Sequence, residues 1–128
     1  MKQALKVIAQ APSSWIDIGK VRFKDHQGQD RERFFLNVAD FGIGGEVVKK
    51  VNENRMRRKA SSYFRCLLST FIAYKNKRVK LRIDGREFPP GEYLIGTISN
   101  GRIFGKGMKI APQAKLDDGL FDVVLVKG

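Results

Sequence analysis

Apolar and polar residues alternate along several short stretches of this chain. That period-two pattern, cut by glycine turns, restricts the chain to a mainly β fold with local helix. Val79, Leu81 and Ile83 alternate with Arg78, Lys80 and Arg82, giving one apolar and one basic face, and Asp84-Gly85 supplies a tight turn after them. Residues 33–39 alternate too, with Phe34, Leu36 and Val38 on one face and Phe35, Asn37 and Ala39 on the other. Residues 15–24 read as the hairpin partner of that run, joined to it through His26-Gln27-Gly28. Ile16 and Ile18 are out of phase with Val21 and Phe23, so Gly19 is expected to mark a bulge. Residues 93–98 and 120–126 are more continuously apolar and suit interior strands.

Three stretches have helical spacing. Residues 4–10 form a short helix that stops before Pro12 and reads as the tail of an element entering the domain, so Met1 looks like an imposed start. Gly42-Ile43-Gly44-Gly45 breaks a strand, and Val47, Val48 and Val51 then repeat helically as far as Asn52 and Asn54. Ser61 or Ser62 caps a longer helix whose stripe of Phe64, Leu67, Leu68, Phe71 and Lys75 should pack on a sheet. No repeat and no linker-like boundary divides residues 1–128, which are expected to form one α-decorated β-sandwich or barrel.

The 128 residues carry a net charge of +12, which favours polyanionic partners: nucleic acid, anionic lipid headgroups or nucleotide phosphates. The basic residues cluster at Lys49, Lys50, Arg55, Arg57, Arg58 and Lys59, and again over residues 75–82. A solvated helix end and the wet face of a strand would account for the same clusters. Phe64 and Phe71 fall on the expected core face rather than among the basic residues, which argues against binding of single-stranded nucleic acid. Cys66 has no partner for a disulfide and reads as a buried thiol in a reducing compartment. No stretch reads as a signal peptide or a membrane span.

The sites available for chemistry are few. The 42–47 stretch has valine where a dinucleotide fingerprint needs its third glycine. The 101–107 stretch is one residue short of a Walker loop and has Gly107 where Ser or Thr is required, so ATP has no cradle here. His26 sits alone in a polar turn without a metal-ligating or triad partner. Asp117-Asp118 before Gly119 forms either an Asx-type turn or part of a hard-cation site, and spacing alone favours the turn.

Three stretches in order carry a resemblance. They are Arg33-Phe34-Phe35-Leu36-Asn37-Val38-Ala39-Asp40-Phe41-Gly42-Ile43-Gly44-Gly45-Glu46-Val47-Val48, then Ile98-Ser99-Asn100-Gly101-Arg102-Ile103-Phe104-Gly105-Lys106-Gly107-Met108, then Ile110-Ala111-Pro112-Gln113-Ala114-Lys115-Leu116-Asp117-Asp118-Gly119-Leu120-Phe121-Asp122-Val123-Val124. Together they resemble the C-terminal domain of the diacylglycerol kinase and sphingosine kinase superfamily, the bacterial-type lipid kinases. Gly45 is a departure, standing where many members carry an aspartate.

The resemblance implies a β-sandwich domain that receives the lipid, beside an N-terminal domain that holds ATP with a Gly-Gly-Asp-Gly-Thr motif. That motif is absent here. The catalytic glutamate implied by the family would lie beyond Gly128, and Glu87 of the early Asp84-Gly85-Arg86-Glu87 turn is not assigned as a base. No catalytic residue is therefore expected in this chain. The resemblance also implies a structural Mg²⁺, replaceable by Ca²⁺, held by the side chain of Asp118 and the carbonyls of Lys115 and Leu120. The expected parent is a cytoplasmic, peripheral lipid kinase acting at an anionic membrane surface, and this chain alone is expected to be inactive. The alternative is a stand-alone basic module for RNA or anionic membranes.

Overall fold

The computed structural model describes residues 2–53, 69–105 and 107–128. Its elements run α1 (Lys2–Gln10), β1 (Gly19–Lys24), β2 (Asp30–Phe35), β3 (Val38–Gly42), α2 (Ile43–Glu53), β4 (Lys77–Ile83), β5 (Arg86–Ser99), β6 (Ile103–Phe104), β7 (Met108–Lys109) and β8 (Asp122–Lys127). Residues 69–73 are helical. All the strand pairs are antiparallel. The mainly β architecture with helical decoration is the one the alternation predicts.

The 14-residue β5 is the spine of a four-stranded sheet. Its first half pairs with β4, while Ile95–Ser99 pairs with β3 on one side and β8 on the other. The β4–β5 hairpin turns at Asp84 and Gly85, both with positive φ (48° and 79°), as a two-residue primed turn requires. The register shifts between Val79 and Leu81, opposite Pro89 and Pro90, which have no N–H to give to the ladder. Lys77, Arg78, Lys80 and Arg82 are exposed and Val79, Leu81 and Ile83 half-buried, as read from the sequence. On the separate β1–β2 hairpin, Glu32 lies 2.9 Å from Lys20 and 2.8 Å from Arg22, and Lys24 lies 2.8 Å from Asp30. These exposed pairs fix register and add little stability.

Five expectations are corrected. The alternating 33–39 run is two strands in different sheets, broken at Leu36-Asn37, whose carbonyls accept hydrogen bonds from Asn100. Residues 15–18 are not strand, because Asp17 bonds across to the 116–119 loop. Gly19 starts β1 rather than bulging it, and the Phe35 ring fills the space a Cβ there would take. Phe71 is 55% exposed while its neighbour Thr70 is buried, so the predicted apolar stripe is out of phase in its described part. The rest of that stripe, Phe64, Leu67 and Leu68, lies outside the described residues, as do Cys66 and the two serine caps. Finally, β8 pairs only with β5 among the described strands and so forms an edge, with Val123 and Val126 partly open to solvent.

The buried residues converge on β5. Tyr93, Thr97 and Ser99 on that strand are buried, with Ile43 and Val47 of α2 and with Ala111 and Ala114 of the loop before β8. At the β3–α2 junction Gly42 takes φ 101°, and a side chain there would press on the Leu94 carbonyl. Many apolar side chains stay exposed, including Trp15 at 95%, Leu36, Leu116 and Leu120.

Candidate functional site

The site is built around Asn100, which follows directly on β5 and is fully buried. Its backbone N–H donates to the Asn37 carbonyl at 2.8 Å, and the Gly101 N–H donates to the same oxygen at 3.0 Å. Its side-chain Nδ2 donates to the carbonyls of Asp17 (2.9 Å) and Leu36 (3.0 Å). Asn37 answers by donating Nδ2 to the Ile103 carbonyl at 2.9 Å. A Cβ at Gly101 would collide with the Asn37 side-chain oxygen, which is why glycine follows the asparagine. One amide side chain thus ties together three segments distant in sequence, and its Oδ1 is buried without a partner among the described residues.

A second set of bonds brings in the loop before β8. Arg102 Nε donates to the Ala114 carbonyl at 2.7 Å, and the Asp17 N–H donates to the Leu116 carbonyl at 2.6 Å. Asp17 Oδ2 accepts the Gly119 N–H at 2.7 Å, and Gly119 itself has φ 72°. The two motif stretches, Ile98-Ser99-Asn100-Gly101 and Asp117-Asp118-Gly119-Leu120, are therefore held through Asp17. Between them opens a cavity of about 890 Å³ lined by Trp15, Ile16, Asn37, Arg102, Leu116 and Asp117. This size is in the range of small-ligand clefts.

Lys115, Asp118 and Leu120 all lie exposed on this loop. Asp118 Oδ1 accepts the Leu120 N–H at 3.1 Å, which is the Asx-type turn that spacing alone favours. Its Oδ2 makes no hydrogen bond with a described residue, and neither the Lys115 nor the Leu120 carbonyl accepts one. The unused acceptors are all oxygens and suit a hard cation such as Mg²⁺ that retains several waters. Among the described residues no three His, Cys, Asp or Glu side chains cluster as a ready-made metal site.

The remaining sequence candidates lie elsewhere. Lys49 is exposed and Lys50 half-buried on α2, while Arg55, Arg57, Arg58 and Lys59 lie outside the described residues. His26 is exposed in its turn. Glu87 pairs with Lys80 at 3.2 Å on the β4–β5 hairpin. The glycine run that opens α2 faces a carboxylate: a Cβ at Gly44 would strike Asp40, whose side chain lies against the first turn of the helix. Although Asp40 as a whole residue counts as exposed, burial of its carboxyl pushes its pKa up from the ordinary value. A carboxylate in that position repels a phosphate. Asp17 and Asn100 were not identified as organising residues by sequence reasoning, because their roles rest on bonds to segments 64 or more residues away.

Comparison with known proteins finds a matching family and named relatives. Residues 37–128 match the family described as the YegS C-terminal NAD kinase beta sandwich-like domain. The chain is 33% identical over 100 residues to a probable lipid kinase YegS-like protein of Pseudomonas putida, covering 77% of this chain and 34% of that protein. It is 25% identical over 126 residues to a diacylglycerol kinase of Mycobacterium tuberculosis, covering 98% of this chain and 40% of the relative. Among solved structures, a diacylglycerol kinase from Bacillus anthracis str. Sterne superposes with a TM-score of 0.59 at 25% identity, over 98% of this chain and 37% of that one. The chain thus spans little more than a third of the length of the relatives it matches. With 92 of its residues inside the matched stretch (37 to 128 inclusive), the chain belongs to the family of YegS-type C-terminal β-sandwich domains found in lipid and diacylglycerol kinases.

Proposed function

We propose that this chain is the acceptor-side domain of an ATP-dependent, diacylglycerol kinase-like lipid kinase that phosphorylates a lipid hydroxyl, and that it is inactive by itself. The observation that carries this reading is the joining of the Asn100 and Asp118 motif stretches through Asp17, in a chain whose relatives are named lipid and diacylglycerol kinases. Phosphoryl transfer to an alcohol needs bound ATP, a catalytic metal, a positioned hydroxyl and a base. The glycine run that opens α2 is poorly suited to ATP, because the Asp40 carboxylate lies against Gly44 and would repel a phosphate there. In this reading the nucleotide is held by a separate N-terminal domain. The exposed Trp15, Leu36, Leu116 and Leu120 favour such a partner, since apolar surface on this scale commonly marks an interface.

Asp118, with the carbonyls of Lys115 and Leu120, would hold a structural Mg²⁺ or, in its place, Ca²⁺. Such a cation supplies positive charge that neutralises oxygens drawn together in the turn. The chain's own contribution is positional, since Asp17 fixes the Gly119 amide and Asn100 fixes the Asp17 carbonyl. Among the described residues no helix is long and apolar enough to cross a membrane. The basic region that starts at Lys49 and Lys50 would instead rest on an anionic membrane surface, placing the parent enzyme on the cytoplasmic side as a peripheral protein. Transfer of labelled phosphate from ATP to diacylglycerol by a hybrid enzyme, in which this chain replaces the matching segment of the M. tuberculosis relative, tests the reading.

A further inference from the structure

Where α2, the 69–73 helical turn and the start of β4 come together, the fold leaves a second cavity of about 250 Å³. Glu46, Lys50, Thr70, Tyr74, Lys75 and Lys77 line it, which brings basic side chains, one carboxylate and a phenol to a single cavity. Tyr74 is half-buried, but its Oη is shielded from solvent and has no hydrogen-bond partner among the described residues. Native folds leave few such groups unsatisfied, and a bound water or ion is one common reason for an exception. Lys75 and Lys77 are exposed and form no ion pair with a described residue. Burial first, and the charge of Glu46 second, push the Tyr74 hydroxyl up from its ordinary pKa, so it remains a proton donor at neutral pH.

The contents of the cavity narrow the ligand. A phenol donor together with Lys75 and Lys77 calls for an acceptor-rich anion. The volume lies below the range for drug-sized or nucleotide ligands and suits a single small anion with water. Glu46 would repel a fully deprotonated anion, but its carboxylate can accept a hydrogen bond from an anion that still carries a proton. Hydrogen phosphate carries that proton near neutrality and a phosphomonoester, with a second pKa of about 6, carries it in part, whereas sulfate and phosphodiesters carry none.

We propose that this cavity is a binding site for a protonated phosphate group, with Tyr74 Oη and the ammonium groups of Lys75 and Lys77 donating to its oxygens and Glu46 accepting its P–OH hydrogen. The site lies apart from the Asn100 and Asp118 corner that carries the kinase reading, and shares only Lys50 with the basic region assigned there to the membrane. Lysines that follow a helix end also neutralise its terminal carbonyls, and a purely local role of that kind would give no selectivity between anions.

The test follows the Tyr74 ring carbons by NMR in the 128-residue chain, with Tyr74→Phe to assign the signal. Sodium phosphate is titrated at neutral pH, with sodium chloride holding ionic strength constant. The site predicts a saturable displacement of the Tyr74 signal, at least tenfold weaker binding of sulfate, and about tenfold weaker phosphate binding in Lys77→Gln, the loss expected for one charged hydrogen bond. Glu46→Gln should bring phosphate and sulfate to within about threefold of each other. If Lys77→Gln does not fold, the wild-type phosphate-to-sulfate ratio decides the matter alone. A Tyr74 signal that stays in place, or moves equally and without saturation for both anions, overturns the proposal. Vesicles of phosphatidylcholine containing phosphatidic acid identify the source. Displacement of bound phosphate by these vesicles, but not by vesicles containing phosphatidylglycerol, assigns the site to a lipid monoester headgroup. Saturable phosphate binding that the vesicles leave unchanged assigns it to soluble phosphate.

Discussion

The carboxylate of Asp17 accepts the backbone N–H of Gly119 at 2.7 Å across 102 residues of sequence, clamping the Asp118 turn to the segment that leads into β1. Removing this acceptor in Asp17→Ala should cost about 1 kcal/mol, a typical net value for one hydrogen bond. The melting temperature should fall by about 3 to 5 °C. Asp17→Asn retains an acceptor oxygen and should recover part of the loss. Thermal unfolding of the three proteins checks this, and equal stability of wild type and Asp17→Ala would show that the clamp contributes nothing.

Asn100 should be far less tolerant. Its amide satisfies the Asp17 and Leu36 carbonyls from a fully buried position, so Asn100→Ala leaves both unpaired and should cost about 2 to 3 kcal/mol in urea unfolding. Asn100→Asp should be worse at neutral pH, because a buried carboxylate would then face two carbonyl oxygens. An aspartate variant as stable as the alanine variant would contradict this account of the corner.

How far the sequence shows these features depends on the range of the interactions behind them. The β4 strand and its Asp84-Gly85 turn are legible because alternation and turn chemistry are local. The break at Leu36-Asn37 is not legible, since alternation carries straight through it and the strand ends at long-range bonds to Asn100, Gly101 and Ile103. Phe71 was read as core because a phenylalanine at helical spacing normally is, yet Thr70 takes the buried position. At the candidate site the Asp118 turn is visible as a motif. Asp17, embedded among Ile16 and Ile18, has no sequence signal of its own role.

Burial raises the Asp40 pKa, which sets a definite sign for its pH dependence. The folded state then binds the Asp40 proton more tightly than the unfolded state does. The penalty is absent below the ordinary aspartate pKa and grows as pH rises through the raised one. Asp25 and Glu32 act in the opposite sense. Arg31 first among its partners lowers Asp25, and Lys20 then Arg22 lower Glu32, so their stabilisation is lost as pH falls through the depressed values. Asp40→Asn isolates the first effect. It should be more stable than wild type at neutral pH, with the advantage shrinking as pH falls, and a difference independent of pH would refute the assignment.

The Asp118 turn should respond to divalent cations. A cation at one hundred times its dissociation constant, bound only to the folded state, adds about 2.7 kcal/mol. For a chain of this length that corresponds to a rise in melting temperature of about 8 to 14 °C. Wild type should show the rise when Mg²⁺ replaces chelator at fixed ionic strength, and Asp118→Asn should lose it. No shift in wild type, or an undiminished shift in the variant, would leave the turn as a hydrogen-bonded turn only.

The central claim, that this chain forms the lipid-accepting half of a kinase, is tested most directly by phosphate transfer. Labelled ATP, Mg²⁺ and diacylglycerol in mixed micelles would be incubated with the purified chain and, separately, with the hybrid carrying it in place of the matching 40% of the M. tuberculosis diacylglycerol kinase. The account predicts labelled phosphatidic acid from the hybrid and none from the chain alone. Transfer by the purified chain itself, or a folded, ATP-binding hybrid that labels no lipid, would contradict it.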